Sequence, residues 1–300
     1  MNLEHFHPGT KVQFAWSATT LNYFKACPRK YYYSVIQGLR HKKPSVNLQF
    51  GAWYHKGLEQ YDKCRSAGLD HQQSMRAALR LVLQLSYGWE SDHTSKNRDT
   101  LVRSIVWYFL EFENDAMRTV QHADGPAVEL SFRINVDADF MLVGHLDRVV
   151  HFMDGQFVQD RKTSGSTIGD YYFRQYDIDN QMSLYNWAGQ IMLNSPIKGV
   201  VIDAAQIAVG FTRFQRGITY RSTEQLDEWL KHTKYWVRVA QEMSQRLPSE
   251  GLEAFPMNDK SCNDYGGCPF RDVCSKPARI RQVYLDAEFE PGDYSPLELR

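Results

Sequence analysis

Residues 143–164 read VGHLDRVVHFMDGQFVQDRKTS, and the periodicity of this stretch decides the fold. Two runs, 140–152 and 156–163, alternate or cluster apolar residues around Asp154-Gly155, a strong signal for a tight hairpin turn. They are expected to form two antiparallel strands. Side chains alternate across a strand, so Asp160 and Lys162 share a face and Arg161 points the other way. The hairpin sets the first strand beside the second, so Asp147 reaches the face of Asp160 and Lys162. Two carboxylates and an ammonium then converge at one place on a sheet.

The same reading extends outward. Residues 127–135 form a further strand, joined to the hairpin through Asp137-Ala138-Asp139. Before it lie four helical segments. Ser17 can cap a helix through SATTLNYFKACPRKYYY, and helices are expected over 50–66, 71–90 and 98–119. After the hairpin come a helix near 178–193, two apolar runs at 199–209 and 211–220, and a helix near 222–247. The order of helices, a three-strand meander, a helix and more strands implies an α/β fold, a mixed sheet with helices on both faces. We read 1–300 as one domain. Its helical part covers about 17–120, its core about 127–220, and a cysteine loop 262–274 closes on Cys27.

Composition supports a packed interior. Of the 300 residues, 43% are apolar and 23% charged, which excludes global disorder. No apolar run approaches the roughly 18 residues that span a bilayer. The start, MNLEHFHPGTKVQF, lacks the layout of a secretory signal, so a cytoplasmic protein away from membranes is expected. Net charge is zero, but residues 1–50 carry seven Lys/Arg and one acid, Glu4. Lys25, Arg29, Lys30, Arg40 and Lys42 lie around Tyr31, Tyr32 and Tyr33. That pattern suits phosphate contact with base stacking, but taken alone it favours a solvated helix face whose tyrosines pack the core.

The acidic pair suggests chemistry. Hard oxygen donors hold Mg²⁺ or Mn²⁺, which can clamp a phosphate and acidify a water. A lysine beside the ion can orient that water or offset developing charge. A surface hairpin with alternating charges would give the same short pattern.

Beyond that pattern, Gly144-x-x-Asp147-Arg148-Val149 followed by Asp160-x-Lys162-Thr163 resembles the core motifs of PD-(D/E)XK nucleases, in their RecB-like branch. Arg161 stands where that branch often has tyrosine. Phe50-Gly51-x-x-x-His55 resembles the upstream motif whose histidine ligates metal. Gln181-x-x-x-Tyr185 resembles the motif that positions DNA, its two residues sharing a helical face. Ser17 through Tyr33, including Cys27-Pro28-Arg29-Lys30-Tyr31, resembles the opening motif. The resemblance spans about 17–275. It implies a restriction-endonuclease-like sheet with a helical N-terminal elaboration. It also implies metal at His55, Asp147 and Asp160, and catalytic roles for Asp147, Asp160, Lys162, Gln181 and Tyr185. Glu59, one turn after His55, is either its orienting partner or a solvated charge. Glu129 opens the first strand and could lie near the metal, but reads better as a strand-edge charge; His145 and His151 share the strand of Asp147 and could lie near the site, and are left unassigned.

Cys27, Cys262, Cys268 and Cys274 complete the picture, with Cys64 left over. Clustered cysteines in such a chain point to metal before disulfide. Tyr265-Gly266-Gly267 can wrap tightly between them. Four thiolates suit a [4Fe–4S] cluster, and the arrangement resembles AddB-type and CRISPR adaptation nucleases; zinc is the other option. The expected function is a divalent-metal-dependent deoxyribonuclease, an exonuclease of DNA repair or recombination. Since no G-x-x-x-x-G-K-[ST] occurs, any unwinding needs a helicase partner. The rivals are a non-catalytic DNA-binding scaffold that keeps the fold, and a zinc hydrolase using the histidines.

Overall fold

The computed structural model describes residues 5–122, 125–264, 267–292 and 295–297. The chain runs β1 (Ala15–Trp16), α1 (Ala18–Ala26), α2 (Pro28–Tyr31), β2 (Leu39–His41), α3 (Val46–Ser66), α4 (His71–Leu85) and α5 (Arg98–Glu111). Then come β3 (Arg118–Thr119), β4 (Gln121–His122), β5 (Gly125–Pro126), β6 (Val128–Asn135), β7 (Met141–Phe152) and β8 (Gly155–Ser164). The remainder is α6 (Asp170–Arg174), α7 (Asn180–Leu193), β9 (Ile197–Ile207), β10 (Thr212–Tyr220), α8 (Thr223–Glu250), α9 (Arg271–Cys274), α10 (Arg281–Glu288) and β11 (Phe289–Pro291). No helix among the described residues is long and apolar enough to cross a membrane.

The chain divides into two compact units, each assembled from separated segments. One takes 1–44, 132–144 and 225–299; the other takes 45–131 and 145–224.

The second unit holds the hairpin. β7 and β8 are antiparallel, β8 and β9 parallel, and β9 and β10 antiparallel, with β3 and β6 pairing β7. The sheet is therefore mixed, as expected. The parallel β8–β9 step requires a crossover, which α7 supplies. Helices cover both faces. Phe50, Tyr54 and Leu58 of α3, with residues of α4 and α5, pack on Ala205 and Ile207 of β9. On the other face, Gly189 of α7 lies against Val158 and Ile197, where a Cβ would come within 3.1 Å of Ile197 Cγ1. Burying a side chain such as Leu58 contributes about 1.5–3 kcal/mol. The helices start where the sequence supplies caps. Ser45, Asp70, Asn97 and Asp179 each accept a backbone N–H from the first turn. α4 and α5 stop at Leu85 and Glu111, short of the expected 90 and 119.

In the first unit, the expected N-terminal helix is broken. Ser17 caps α1 through Thr20, but Pro28 lacks an N–H and forces Cys27 into extended backbone. The chain restarts as α2 and loosens into a π-helical turn at Tyr32–Ile36. Tyr31 stacks on Trp16 with ring centroids 5.5 Å apart, and its hydroxyl donates to Gln13 Oε1 at 2.8 Å. Tyr33 packs with Phe270 and Phe289. Tyr31 and Tyr33 are thus core rather than a stacking platform, whereas of the bases Arg29 is buried and Lys25, Arg40, Lys42 and Lys43 are exposed. Arg29 is buried and donates to the carbonyls of Phe255 and Leu252. Lys42 donates to Asp286 and Ala287, and Arg40 pairs Glu290. Gly144, the glycine of the Gly-x-x-Asp motif, sits where a Cβ would meet Phe132 Cζ at 2.7 Å.

Candidate active site

The β7–β8 ladder runs from Phe152↔Gly155 to Arg148↔Gln159 and ends there, whereas β8 stays paired with β9 as far as Ser164↔Gln206. At that point the Asp147 carboxylate replaces a strand carbonyl: Arg161 N–H donates to Asp147 Oδ2 at 2.9 Å. α3 lies on the Ala205 face of the sheet, yet His55 meets Asp147 where the two strands part, with Nδ1 3.3 Å from Oδ2. Asp160 and Lys162 share a face as the alternation requires, with Lys162 Nζ 3.0 Å from Asp160 Oδ1 and 2.8 Å from Oδ2. The same ammonium donates to Gln181 Oε1 at 2.9 Å, and Gln181 Nε2 donates to the Tyr185 hydroxyl at 2.9 Å. β7, β8, α3 and α7 therefore bring all six expected side chains into one connected constellation.

The charges are set by burial and by each other. Burial opposes ionisation of Asp147, but the His55 imidazolium and Lys162 hold it well below the usual carboxylate range. Burial pushes Asp160 up to about 6, with Lys162 opposing and the Asp147 carboxylate adding to the rise. Burial would lower Lys162, but Asp160 and Asp147 keep its ammonium charged and push its pKa up. His55 is likewise raised, by Asp147 over the opposing effect of burial. Tyr185 is raised by burial and by the two carboxylates, so its phenol stays protonated.

Asp160 Oδ2 is buried and accepts no well-formed hydrogen bond, despite the nearby Lys162. A carboxylate oxygen so placed, beside a second carboxylate and an imidazole, suits a hard divalent cation. Among the described residues no group of three or more His, Cys, Asp or Glu side chains is gathered so as to hold a metal ion. Mg²⁺ keeps several waters and takes one or two carboxylates with substrate oxygens, so an open donor set fits it. His55 has to release its proton to join such a set.

The remaining candidates divide. Glu59 is not the partner of His55, because it takes Lys56 and Lys63, each at 2.6 Å. Glu129, read as a strand-edge charge, is instead buried and adopts a left-handed backbone with φ of 52°, within electrostatic reach of Tyr185. Such a conformation in a non-glycine residue marks a constrained position, and no local sequence signal announces it. His145 Nδ1 lies 2.8 Å from Ser131 Oγ, and His151 is exposed near the turn. Behind the site the structure adds residues that the sequence reading missed. Asp62 ion-pairs Arg161 at 2.6 Å and Arg148 at 3.4 Å. Asp203 accepts from Tyr108, Gln159 and Arg216.

The four expected cluster cysteines all belong to the first unit; Cys64 belongs to the second. All five are free thiols. Asn258 N–H donates to Cys27 Sγ at 3.3 Å, and Cys268 N–H donates to the Cys262 carbonyl at 2.9 Å. Burial raises the Cys268 thiol, with Cys27 and Cys262 among the further causes. Burial pushes Cys274 up to about 11, against Arg29 and with Cys268 and Cys27 adding. The four sulfurs are electrostatic neighbours without forming a ready-made ion site. Of the turn between them, Tyr265 and Gly266 lie outside the described residues; Gly267 has φ of +111°.

Comparison with known proteins fits this geometry. A family model of the PD-(D/E)XK nuclease superfamily matches residues 15–275. No curated protein matches. Among solved structures, one described as "Crystal structure of SSO0001" is 14% identical, with 78% of this chain and 79% of that chain covered and a TM-score of 0.31. That likeness is too loose to transfer residues. The family match covers the Asp147–Lys162 hairpin, His55, and Gln181 with Tyr185, on a mixed sheet flanked by helices. The chain belongs to the PD-(D/E)XK nuclease superfamily.

Proposed function

We propose that the chain is a divalent-metal-dependent deoxyribonuclease that degrades DNA from an end, in repair or recombination. The observation that carries this is the meeting of Asp147, Asp160 and Lys162 where the hairpin strands part. His55, Asp147 and Asp160 would hold Mg²⁺ or Mn²⁺, which supplies a Lewis acid for the phosphate and a more acidic water. The protein residues do the rest. Lys162 is held charged, so it is a donor rather than a base: it orients the attacking water or a phosphate oxygen as negative charge develops. Water adds to phosphorus in line as the bond to the leaving oxygen breaks; the water's proton passes to solvent, and the leaving oxygen takes one up to depart as a hydroxyl. Gln181 fixes Lys162, and Tyr185 fixes Gln181, so the ammonium points at one place. End preference and DNA rather than RNA come from the resemblance to RecB-like enzymes, as does a helicase partner.

We also read Cys27, Cys262, Cys268 and Cys274 as ligands of one [4Fe–4S] cluster. What supports this is that all four lie in one unit, where Cys27 is among the causes that raise both the Cys268 and the Cys274 thiol, and that four thiolates suit such a cluster.

The test is cleavage of linear and closed-circular DNA by anaerobically purified protein with Mg²⁺ or Mn²⁺. Linear DNA should be degraded and circles spared. Asp160→Asn should abolish cleavage, and Lys162→Ala should lower turnover about 10²–10³-fold with smaller change in DNA affinity. Equal activity of wild type and Asp160→Asn would remove the site assignment. Cut circles would remove only the end preference.

A further inference from the structure

Asp62 stands on the same helix as His55, seven residues later. Two turns of α-helix return nearly to the starting direction, with a drift of about 20°. The two side chains therefore leave α3 on one side. His55 meets Asp147 and Asp62 does not; it grips the neighbours of the reacting groups. Its Oδ2 lies 2.6 Å from Arg161 Nη2 and its Oδ1 lies 3.4 Å from Arg148 Nη1. Arg148 follows Asp147 on β7. Arg161 lies between Asp160 and Lys162 on β8, and its own N–H holds the Asp147 carboxylate. Asp62, Arg148 and Arg161 are all buried.

This contact falls at the last paired position of the hairpin, Arg148↔Gln159. Beyond it β7 and β8 have no ladder bonds to fix their separation. Other groups hold Arg148 from the strand side: Thr119 Oγ1 at 2.9 Å, Gln159 Oε1 at 3.2 Å and the Met117 carbonyl at 3.4 Å. Arg161 is tied less heavily. Its Nε is buried without a hydrogen-bond partner, and its guanidinium carbon lies 6.0 Å from the Tyr108 ring centre. Asp62 thus joins α3 to both strands at once.

We infer that Asp62 is a positioning residue for the metal site: by clamping Arg148 and Arg161 it fixes α3, and with it His55, against Asp147 and Asp160. This rests on the reading of those three residues as metal ligands. It goes further in assigning their relative geometry to one carboxylate on the opposite side of the strands. It also gives Arg161 a task at a position where the related motif commonly has tyrosine. Groups that orient ligands typically alter metal affinity or activity by about 10–100-fold when removed.

The experiment is Mn²⁺ binding to DNA-free protein by titration calorimetry, with cleavage measured beside it over a range of Mn²⁺. Asp62→Asn keeps the volume and removes the charge. It should weaken Mn²⁺ by about 10–100-fold, leave KM for DNA within about twofold, and recover much of its turnover at high Mn²⁺. Arg161→Gln, which keeps the Asp62–Arg148 contact, should show the same loss in milder form and serves if Asp62→Asn does not fold. Asp160→Asn is the reference. If it abolishes Mn²⁺ binding while folded Asp62→Asn, or Arg161→Gln in its place, binds as tightly as wild type, Asp62 is only a counter-charge and this inference fails alone. If the wild type binds no Mn²⁺, the nuclease reading fails and takes this inference with it.

Discussion

Asp160 is held in a state that the metal-free protein resists. Burial raises its carboxyl from the ordinary 3.8 to about 6. A folded-state pKa above the unfolded one favours folding through the protonated form. That contribution is complete below 3.8 and is lost as pH rises through 6. At 1.36 kcal/mol per pKa unit, ionised Asp160 costs about 3 kcal/mol of stability at pH 8. Asp160→Asn keeps the shape, cannot ionise and still offers Lys162 an acceptor. With EDTA at pH 8 the variant should therefore be more stable by about 2–3 kcal/mol, part of the gain being offset by the weaker counter-charge on Lys162. At roughly 2–4 °C per kcal/mol this is a rise in Tm of about 5–10 °C. At pH 4 the gap should shrink towards zero. Mn²⁺ at a hundredfold excess over Kd should then stabilise the wild type by about 2.7 kcal/mol and leave the variant unmoved. Thermal melts at pH 4, 6 and 8, with EDTA or Mn²⁺, read all of this. A variant that melts below wild type at pH 8 in EDTA, with a gap independent of pH, would refute the reasoning.

Two further outcomes follow. Iron and sulfide analysis of anaerobically prepared protein should give a four-iron cluster that is lost alike in Cys27→Ser and Cys268→Ser and kept in Cys64→Ser; stoichiometric zinc without sulfide would replace the cluster with a zinc site. Gly144→Ala should lower stability by about 1–3 kcal/mol, because the new methyl group meets the Phe132 ring, and Phe132→Leu should relieve part of that loss in the double variant; a Gly144→Ala melt equal to wild type would show that the ring simply moves aside.

The hairpin was legible because its information is local. Period-two alternation and Asp154-Gly155 set the strands, and alternation alone puts Asp160 and Lys162 on one face and Arg161 on the other. His55, Gln181 and Tyr185 were legible through motif spacing, and the structure brings them to the carboxylates. What failed was whatever depends on distant partners. Tyr31 and Tyr33 read better as packing than as stacking on bases, and they do pack, but their partners Trp16 and Phe270 could not be named from the sequence. Glu59 shares a helix with His55 but finds two nearer lysines. The Asp62–Arg161 pair spans ninety-nine residues, and no spacing rule connects its members. The break at Pro28 could have been read: proline at that position ends the preceding helix, and the aromatic run beyond it masked the signal.

The division of the chain orders events during synthesis. Every residue assigned to the reacting site lies before 225, in the unit made from 45–131 and 145–224. Three of the four cysteines proposed as cluster ligands lie beyond 260, in the last segment of the other unit. At roughly 5–20 residues per second, several seconds separate the emergence of Tyr185 from that of Cys274. On the ribosome, the residues proposed to hold metal and DNA are therefore translated in full before the last of the cysteines proposed to join Cys27 has emerged.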